Sequence, residues 1–260
     1  MEGARGGRVI RADEREEESL PESSGGVRLA IDHRVGAQNL VQRIFRFGPG
    51  RTPELHNQAS EDVMYVAEGI GTAELGGAAV ELAPGTALFA PPGVGYWLEN
   101  AGPHDLVIVS VLSPPPGAPA GARSEVRFDL GPPSPNRSSG ITHQWVREED
   151  QEPISAGPDR VFRVLVDARH GSRTVTQFVG FIETGGAPPH RHTYEEAIYI
   201  LDGEGLVQID GEDTPIARGT SVFLPPGVPH RLLNVGPETL RLLGVFSPPG
   251  SPAAKQDLLV

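Results

Sequence analysis

The stretch Gly185-Gly186-Ala187-Pro188-Pro189-His190-Arg191-His192-Thr193-Tyr194-Glu195-Glu196-Ala197-Ile198-Tyr199-Ile200-Leu201-Asp202-Gly203 decides the fold. Side chains two apart on an extended strand point the same way, so His190 and His192 share a face and can grip one ion from the same side. Along a straight strand Glu196 would lie roughly 20 Å from His190, at about 3.3 Å per residue. A turn or bulge is therefore expected at Thr193 to Glu195, after which a new strand starts with Glu196 pointing inward. A third imidazole, His230, follows Pro225-Pro226-Gly227-Val228-Pro229. There Gly227 tolerates backbone geometry that other residues do not, and the flanking prolines stiffen the approach. His190, His192, Glu196 and His230 together suit Mn, Fe(II), Ni, Co, Cu or Zn, and an octahedral ion so held keeps two positions for water, substrate or dioxygen.

Around these residues the apolar pattern is that of short strands. Val175, Val179 and Phe181 share a face around Gln177, Ile198 and Ile200 follow Glu196, and Val222 and Leu224 precede the proline turn. Asp202-Gly203, Asp210-Gly211 and Pro226-Gly227 separate the runs as turns. Many short strands with no helical stretch between them describe an antiparallel sandwich or barrel. Gln177, the polar residue of its face, is the candidate to line a substrate pocket together with Phe181, for which a core role is the competing reading.

Sliding the sequence against itself by 134 positions superimposes two halves without a gap over about 60 residues, with roughly 23 identical pairs, too many for coincidence. His56 falls on His190, Glu61 on Glu195, Tyr65 on Tyr199, and Pro91-Pro92-Gly93-Val94 on Pro225-Pro226-Gly227-Val228. Such a period is too long for a solenoid unit, so each copy is expected to be a domain, one over 27–113 and the other over 160–250. The segment 114–159, with Pro, Ser and Gly concentrated in Pro114 to Gly121 and Gly131 to Gly140, reads as a linker holding a short strand near Val126 to Leu130 and a less regular piece near Trp145 to Glu152. Because Glu195 and Tyr199 recur as Glu61 and Tyr65, they read as structural. Gln177 falls on Arg43, a difference expected of a site-specific residue.

The 260 residues, 38% of them hydrophobic, suffice for two domains, and 33 glycines with 26 prolines fit strands joined by tight turns. The absence of cysteine excludes disulfide scaffolds, thiolate metal sites and a cysteine nucleophile. A formal charge of −12 disfavours nucleic acid and anionic membranes and leaves a small molecule as the simplest partner. No apolar run approaches the roughly 20 residues of a membrane span. Residues 1–26 alternate Arg and Glu without an apolar segment and read as a solvated, disordered tail, which makes a cytoplasmic location the default expectation.

Gly185 to Gly203 resembles the first cupin motif, and Gly219-Thr220-Ser221-Val222-Phe223-Leu224 with the proline turn, His230 and Asn234 resembles the second. With the repeat, the chain is similar to a bicupin. The resemblance implies an all-β fold of two antiparallel jelly-roll barrels in tandem, with one divalent transition metal per chain held by His190, His192, Glu196 and His230 in the second. In the first half His56 is retained, but Gln58 stands where His192 is, Asp62 where Glu196 is and Tyr96 where His230 is. That barrel is expected to be metal-free or weakly binding, a packing partner or the surface of a homodimer.

Cupins with this ligand set resemble dioxygenases, oxalate decarboxylases, sugar isomerases, lyases and plain binding proteins, and fold analogy does not choose among them. Three neutral imidazoles and one carboxylate leave a divalent ion about one unit of positive charge, which favours an anionic or enolizable ligand. Three readings stay open: a metal-dependent oxygenase, decarboxylase, isomerase or lyase acting on a small oxygenated acid, diol or sugar-like substrate; a small-molecule binding protein that uses the metal as an anchor; and, ranked last, an amidohydrolase similar to ureidoglycine aminohydrolase, whose ligand pattern has glutamine where this chain has His230. No general acid or base stands out.

Overall fold

The computed structural model describes residues 6–20, 24–57, 59–114, 144–252 and 257–258. The strand expected near Val126 to Leu130 lies outside the described residues, as does Gln58. Regular structure among the described residues is β-strand, apart from three single-turn 3-10 segments at His33–Val35, Glu148–Asp150 and Ala168–His170. No helix among them is long and apolar enough to cross a membrane.

Each half of the chain builds two facing antiparallel sheets. In the first half Thr86–Ala90, Glu61–Glu68, Leu106–Ser113, Val41–Phe47 and Gly25–Ile31 run side by side, opposed by a sheet centred on Tyr96–Asn100 and Gly71–Leu75. In the second, Ser221–Leu224, Glu195–Asp202, Leu240–Ser247, Thr176–Ile182 and Arg160–Val166 face a sheet holding Glu204–Ile209, His230–Asn234 and His190–Arg191. Alternation sends every second side chain inward, so Phe45, Met64, Leu88 and Ile108 fill one barrel and Phe178, Ile198, Val222 and Leu242 the other. The other face of each large sheet is buried too. Ile44, Tyr65 and Val109 pack there in one cluster with Val179, Tyr199 and Val245 of the opposite barrel. Burial on both faces is why Leu106–Ser113 reads as a nearly continuous apolar run.

Glu195 and Glu61 tie the barrels together. The Glu195 carboxylate accepts from the backbone N–H groups of Gln38 and Asn39 of the first barrel, each at 2.8 Å. Glu61 accepts from the Arg173 and Thr174 N–H groups at 2.8 and 3.1 Å and from the Ser172 and Thr174 hydroxyls at 2.8 and 2.7 Å. Both acids are thus consumed by the fold.

Two boundaries differ from expectation. Residues 1–26 are not a solvated tail throughout: Arg8–Ile10 pairs with Ser221–Leu224 of the second barrel, and Glu17–Ser19 pairs with Gly25–Ile31 of the first. Charge averaged over the segment hides Val9-Ile10, whose isoleucine is 4% exposed and whose backbone completes an otherwise open sheet edge. The linker is shorter than 114–159, because Trp145–Arg147 extends the first barrel at Thr86–Ala90 and Pro153–Ser155 pairs with Arg160–Val166. The segment that precedes each barrel therefore closes the large sheet of the other.

Candidate metal centre

His190 lies on the short strand His190–Arg191 directly opposite His230. After His192 the backbone leaves that sheet at Thr193 and Tyr194 and re-enters the facing sheet as Glu195–Asp202, a turn placed where the spacing requires one. Imidazoles from one sheet and the Glu196 carboxylate from the other thereby converge. One donor atom from each of His192, Glu196 and His230 lies within 4.8 Å of the others, and the His190 ring centroid is 4.5 Å from that of His230. All four side chains are buried.

The imidazoles are prepared as ligands. Nδ1 of His190 lies 3.0 Å from the Pro188 carbonyl, Nδ1 of His192 3.0 Å from that of Tyr194, and Nδ1 of His230 2.8 Å from that of Val228. A carbonyl only accepts, so each Nδ1 carries the proton and each Nε2 turns a lone pair inward. Burial pushes the His230 pKa down to about 4 against the pull of Glu196, and lowers that of His190 in the same way, so both rings are neutral near pH 7. Nε2 of His192 then faces Oε2 of Glu196 at 3.0 Å. Two acceptors at that distance repel unless a proton or cation joins them, and two donors about 2.1 Å from one ion at right angles stand about 3.0 Å apart. The Tyr194 ring, stacked on His192 with centroids 4.1 Å apart and 11° between planes, fixes the imidazole. This buried donor set fits a divalent transition metal.

The donors open onto a cavity of about 50 Å³, room for a few water-sized groups, walled by Phe162, Phe178, Ile182, Leu242 and Phe246. Its one further charged side chain is Arg160, which the sequence reading did not single out. The available signal was a cation heading the apolar run Val161-Phe162-Arg163-Val164-Leu165.

Gln177 and Phe181 do not line this cavity, contrary to expectation. The strand Thr176–Ile182 is buried on both faces, and its even-numbered Phe178 and Ile182 point to the donors. Gln177 is fully buried on the opposite face, where Val175 and Val179 join the cluster between the barrels and Phe181 packs against it. The structural counterpart of Gln177 is Gln42, not Arg43: Gln177 pairs with Val245 as Gln42 pairs with Val111. An identical residue at both places argues for packing.

The same one-residue offset revises the ligand correspondence in the first barrel. Leu55 bridges Tyr96 as His190 pairs with His230, and the Gly93 N–H donates to the Asn57 carbonyl as that of Gly227 donates to His192, both at 2.8 Å. Leu55 and Asn57 therefore stand at the positions of His190 and His192, while His56 matches Arg191 instead of a ligand. An extra residue between Asn57 and Glu61, compared with His192 to Glu195, restores the register afterwards. At the centre of this barrel, Arg43 Nη2 lies 2.6 Å from Oδ2 of the fully buried Asp62, which also accepts from the Tyr96 hydroxyl at 2.8 Å and from Ser110 Oγ at 2.6 Å. A guanidinium occupies the ground between the first barrel's donors.

A family model described as Cupin domain matches residues 43–112 and 178–246. A dimethylsulfoniopropionate lyase of Ruegeria pomeroyi is 30% identical over 108 residues, covering 38% of this chain and 70% of the lyase. An oxalate-binding protein of Thermotoga maritima is 40% identical over 58 residues, 22% of this chain and 48% of that protein. The chain spans about half the length of several curated relatives it matches, at 50%, 56% and 54%. Among solved structures, an oxalate decarboxylase of Lactobacillus farciminis in a formate complex superimposes with a TM-score of 0.73 at 14% identity, over 93% of this chain and 86% of that one, a likeness of fold.

Proposed function

The chain belongs to the cupin family, with one cupin domain in each half, and from that premise we propose that it is a metal-dependent enzyme acting on a small oxygenated acid in its second barrel. The observation that carries this reading is the locking of three Nδ1 atoms onto backbone carbonyls, which turns three neutral imidazoles toward Glu196 inside a small apolar cavity. His190, His192, Glu196 and His230 would hold a divalent transition ion, which when bound supplies Lewis acidity and, for a redox metal, access to dioxygen chemistry. The barrel itself excludes water with Phe162, Phe178 and Phe246 and fixes the donors through Pro188, Tyr194 and Val228. Apart from the donors, the cavity wall holds no carboxylate, imidazole or hydroxyl among the described residues. That supports a reaction in which the protein supplies no separate general base, as in oxygenation or decarboxylation, over one that needs such a base.

Elemental analysis of the purified protein tests the metal, and oxygen consumption by Fe(II)-loaded protein across 2-oxo acids, hydroxy acids and diols tests the chemistry. Uptake with an acid supports an oxygenase, and turnover under argon moves the assignment to a decarboxylase or lyase. Similarity to the Thermotoga oxalate-binding protein favours a second reading, a binding protein anchored by metal. A metal-dependent rise in melting temperature with no product from any acid would select it.

A further inference from the structure

We propose that Arg160 anchors a carboxylate of the ligand, so that the second barrel selects small carboxylic acids over neutral diols and sugars. The inference rests on the reading of this cavity as the metal-dependent site and names its ligand class. Arg160 is the one charged side chain of the wall that is not a donor to the candidate ion. Its positive charge is felt at His190, which places it beside the ligand cluster.

The surroundings of Arg160 leave it short of partners. A guanidinium offers five N–H donors in a planar fork that matches a carboxylate bidentately. Among the described residues its hydrogen bond is the one from Nη2 to the Ala156 carbonyl at 2.7 Å. Burial opposes its charge, and the neighbouring Asp159 offsets this only in part. The apolar remainder of the wall gives an anionic group no other place to bind. A cavity of about 50 Å³ restricts the ligand to a few heavy atoms, so a carboxylate on Arg160 and an oxygen donor turned to the ion would use most of the molecule.

The other barrel supplies the control. Arg160 pairs with Ile182 as Gly25 pairs with Phe47, so the half without the imidazole set has no side chain at that place. The cation and the ligand set occur together in one barrel and are missing together from the other. A loop latch through Ala156 would explain one hydrogen bond, but not why the guanidinium lines the cavity.

Calorimetric titration of the full-length Mn(II)-loaded protein with pyruvate, glycolate and oxalate, and with pyruvamide, glycolamide and oxamide, separates the two roles. The acids are expected to bind the wild type at least about tenfold tighter than Arg160→Gln, with Arg160→Lys between them, while the amides bind all three proteins alike. Metal content is expected to stay unchanged. An acid-over-amide preference that survives in Arg160→Gln, or that is missing in the wild type, overturns the proposal. A latch would lower the melting temperature of ligand-free Arg160→Gln and leave the preference intact, which also overturns it. Repeating the titrations without metal keeps the two readings apart. A protein that takes up no ion yet loses its acid preference in Arg160→Gln sustains the anchor and sinks the metal centre. One that takes up the ion without preferring acids does the reverse.

Discussion

Where the second barrel arranges His190, His192, Glu196 and His230 around a cavity, the first arranges Leu55, Asn57, Asp62 and Tyr96 around the Arg43 guanidinium. The pair opposite each acid changes in concert. In the second barrel the Phe178 ring lies against Gly244, where an added Cβ would come within 2.2 Å of it. In the first, Arg43 and Ser110 take those paired positions, and the serine hydroxyl binds both Arg43 and Asp62. A buried carboxylate needs a counter-charge or a proton, because its desolvation is otherwise too costly. One barrel supplies the counter-charge covalently, from its own strand, and the other leaves the place open to an ion from solution. The jelly roll therefore does not depend on metal; the acid inside it does.

The comparison breaks most visibly in metal content. His192→Ala is expected to lower it from about one equivalent per chain to near zero, whereas Asp62→Asn leaves it untouched; two equivalents in the wild type by elemental analysis would erase the distinction between the barrels. Next in size, Arg43→Met strands Asp62 without its cation and is expected to cost about 3–5 kcal/mol in urea unfolding, with much of the loss recovered in the Arg43→Met/Asp62→Asn double variant. Additive losses would mean that the guanidinium is not the acid's counter-charge. Glu61→Ala, which removes the acceptor of four cross-barrel bonds, is expected to destabilise by about 2–4 kcal/mol and Glu195→Ala by less. The reverse order would show that the two interlocks are not ranked by their bonds. Smallest, Ile10→Ala is expected to cost about 2 kcal/mol at the edge of the second barrel, with metal content unchanged; altered content would tie that edge to the donors.

What the letters revealed was local. His190 and His192 two apart, a forced turn before Glu196, and His230 behind a rigid proline turn depend on strand periodicity and turn chemistry within a few residues, and the structure brings these side chains to one cavity. The face of a strand buried on both sides is not local information. Gln177 and Phe178 are equally inaccessible, and only the strand's two neighbours decide which of them meets the donors. A gapless comparison of the halves could not register the extra residue between Asn57 and Glu61, so it promoted His56 to a ligand position and Arg43 to a partner of Gln177. Arg160 stayed hidden because its role comes from Ile182 across the sheet and Gly25 in the other half, neither near it in the chain. The pairing of Arg8–Ile10 with Ser221–Leu224 joins residues more than 200 positions apart, and the flanking charges mask the two apolar letters that carry it.

That last pairing, with its mate at Trp145–Arg147, makes the halves inseparable in a practical sense. A gene split anywhere between codons 115 and 143 would yield an upstream product holding the strand that finishes the downstream barrel, and a downstream product holding the strand that finishes the upstream one. Neither product would be a whole domain. Made alone, each would present an unsheathed β-edge prone to clumping; made together, they would complement each other like the two parts of a clasp.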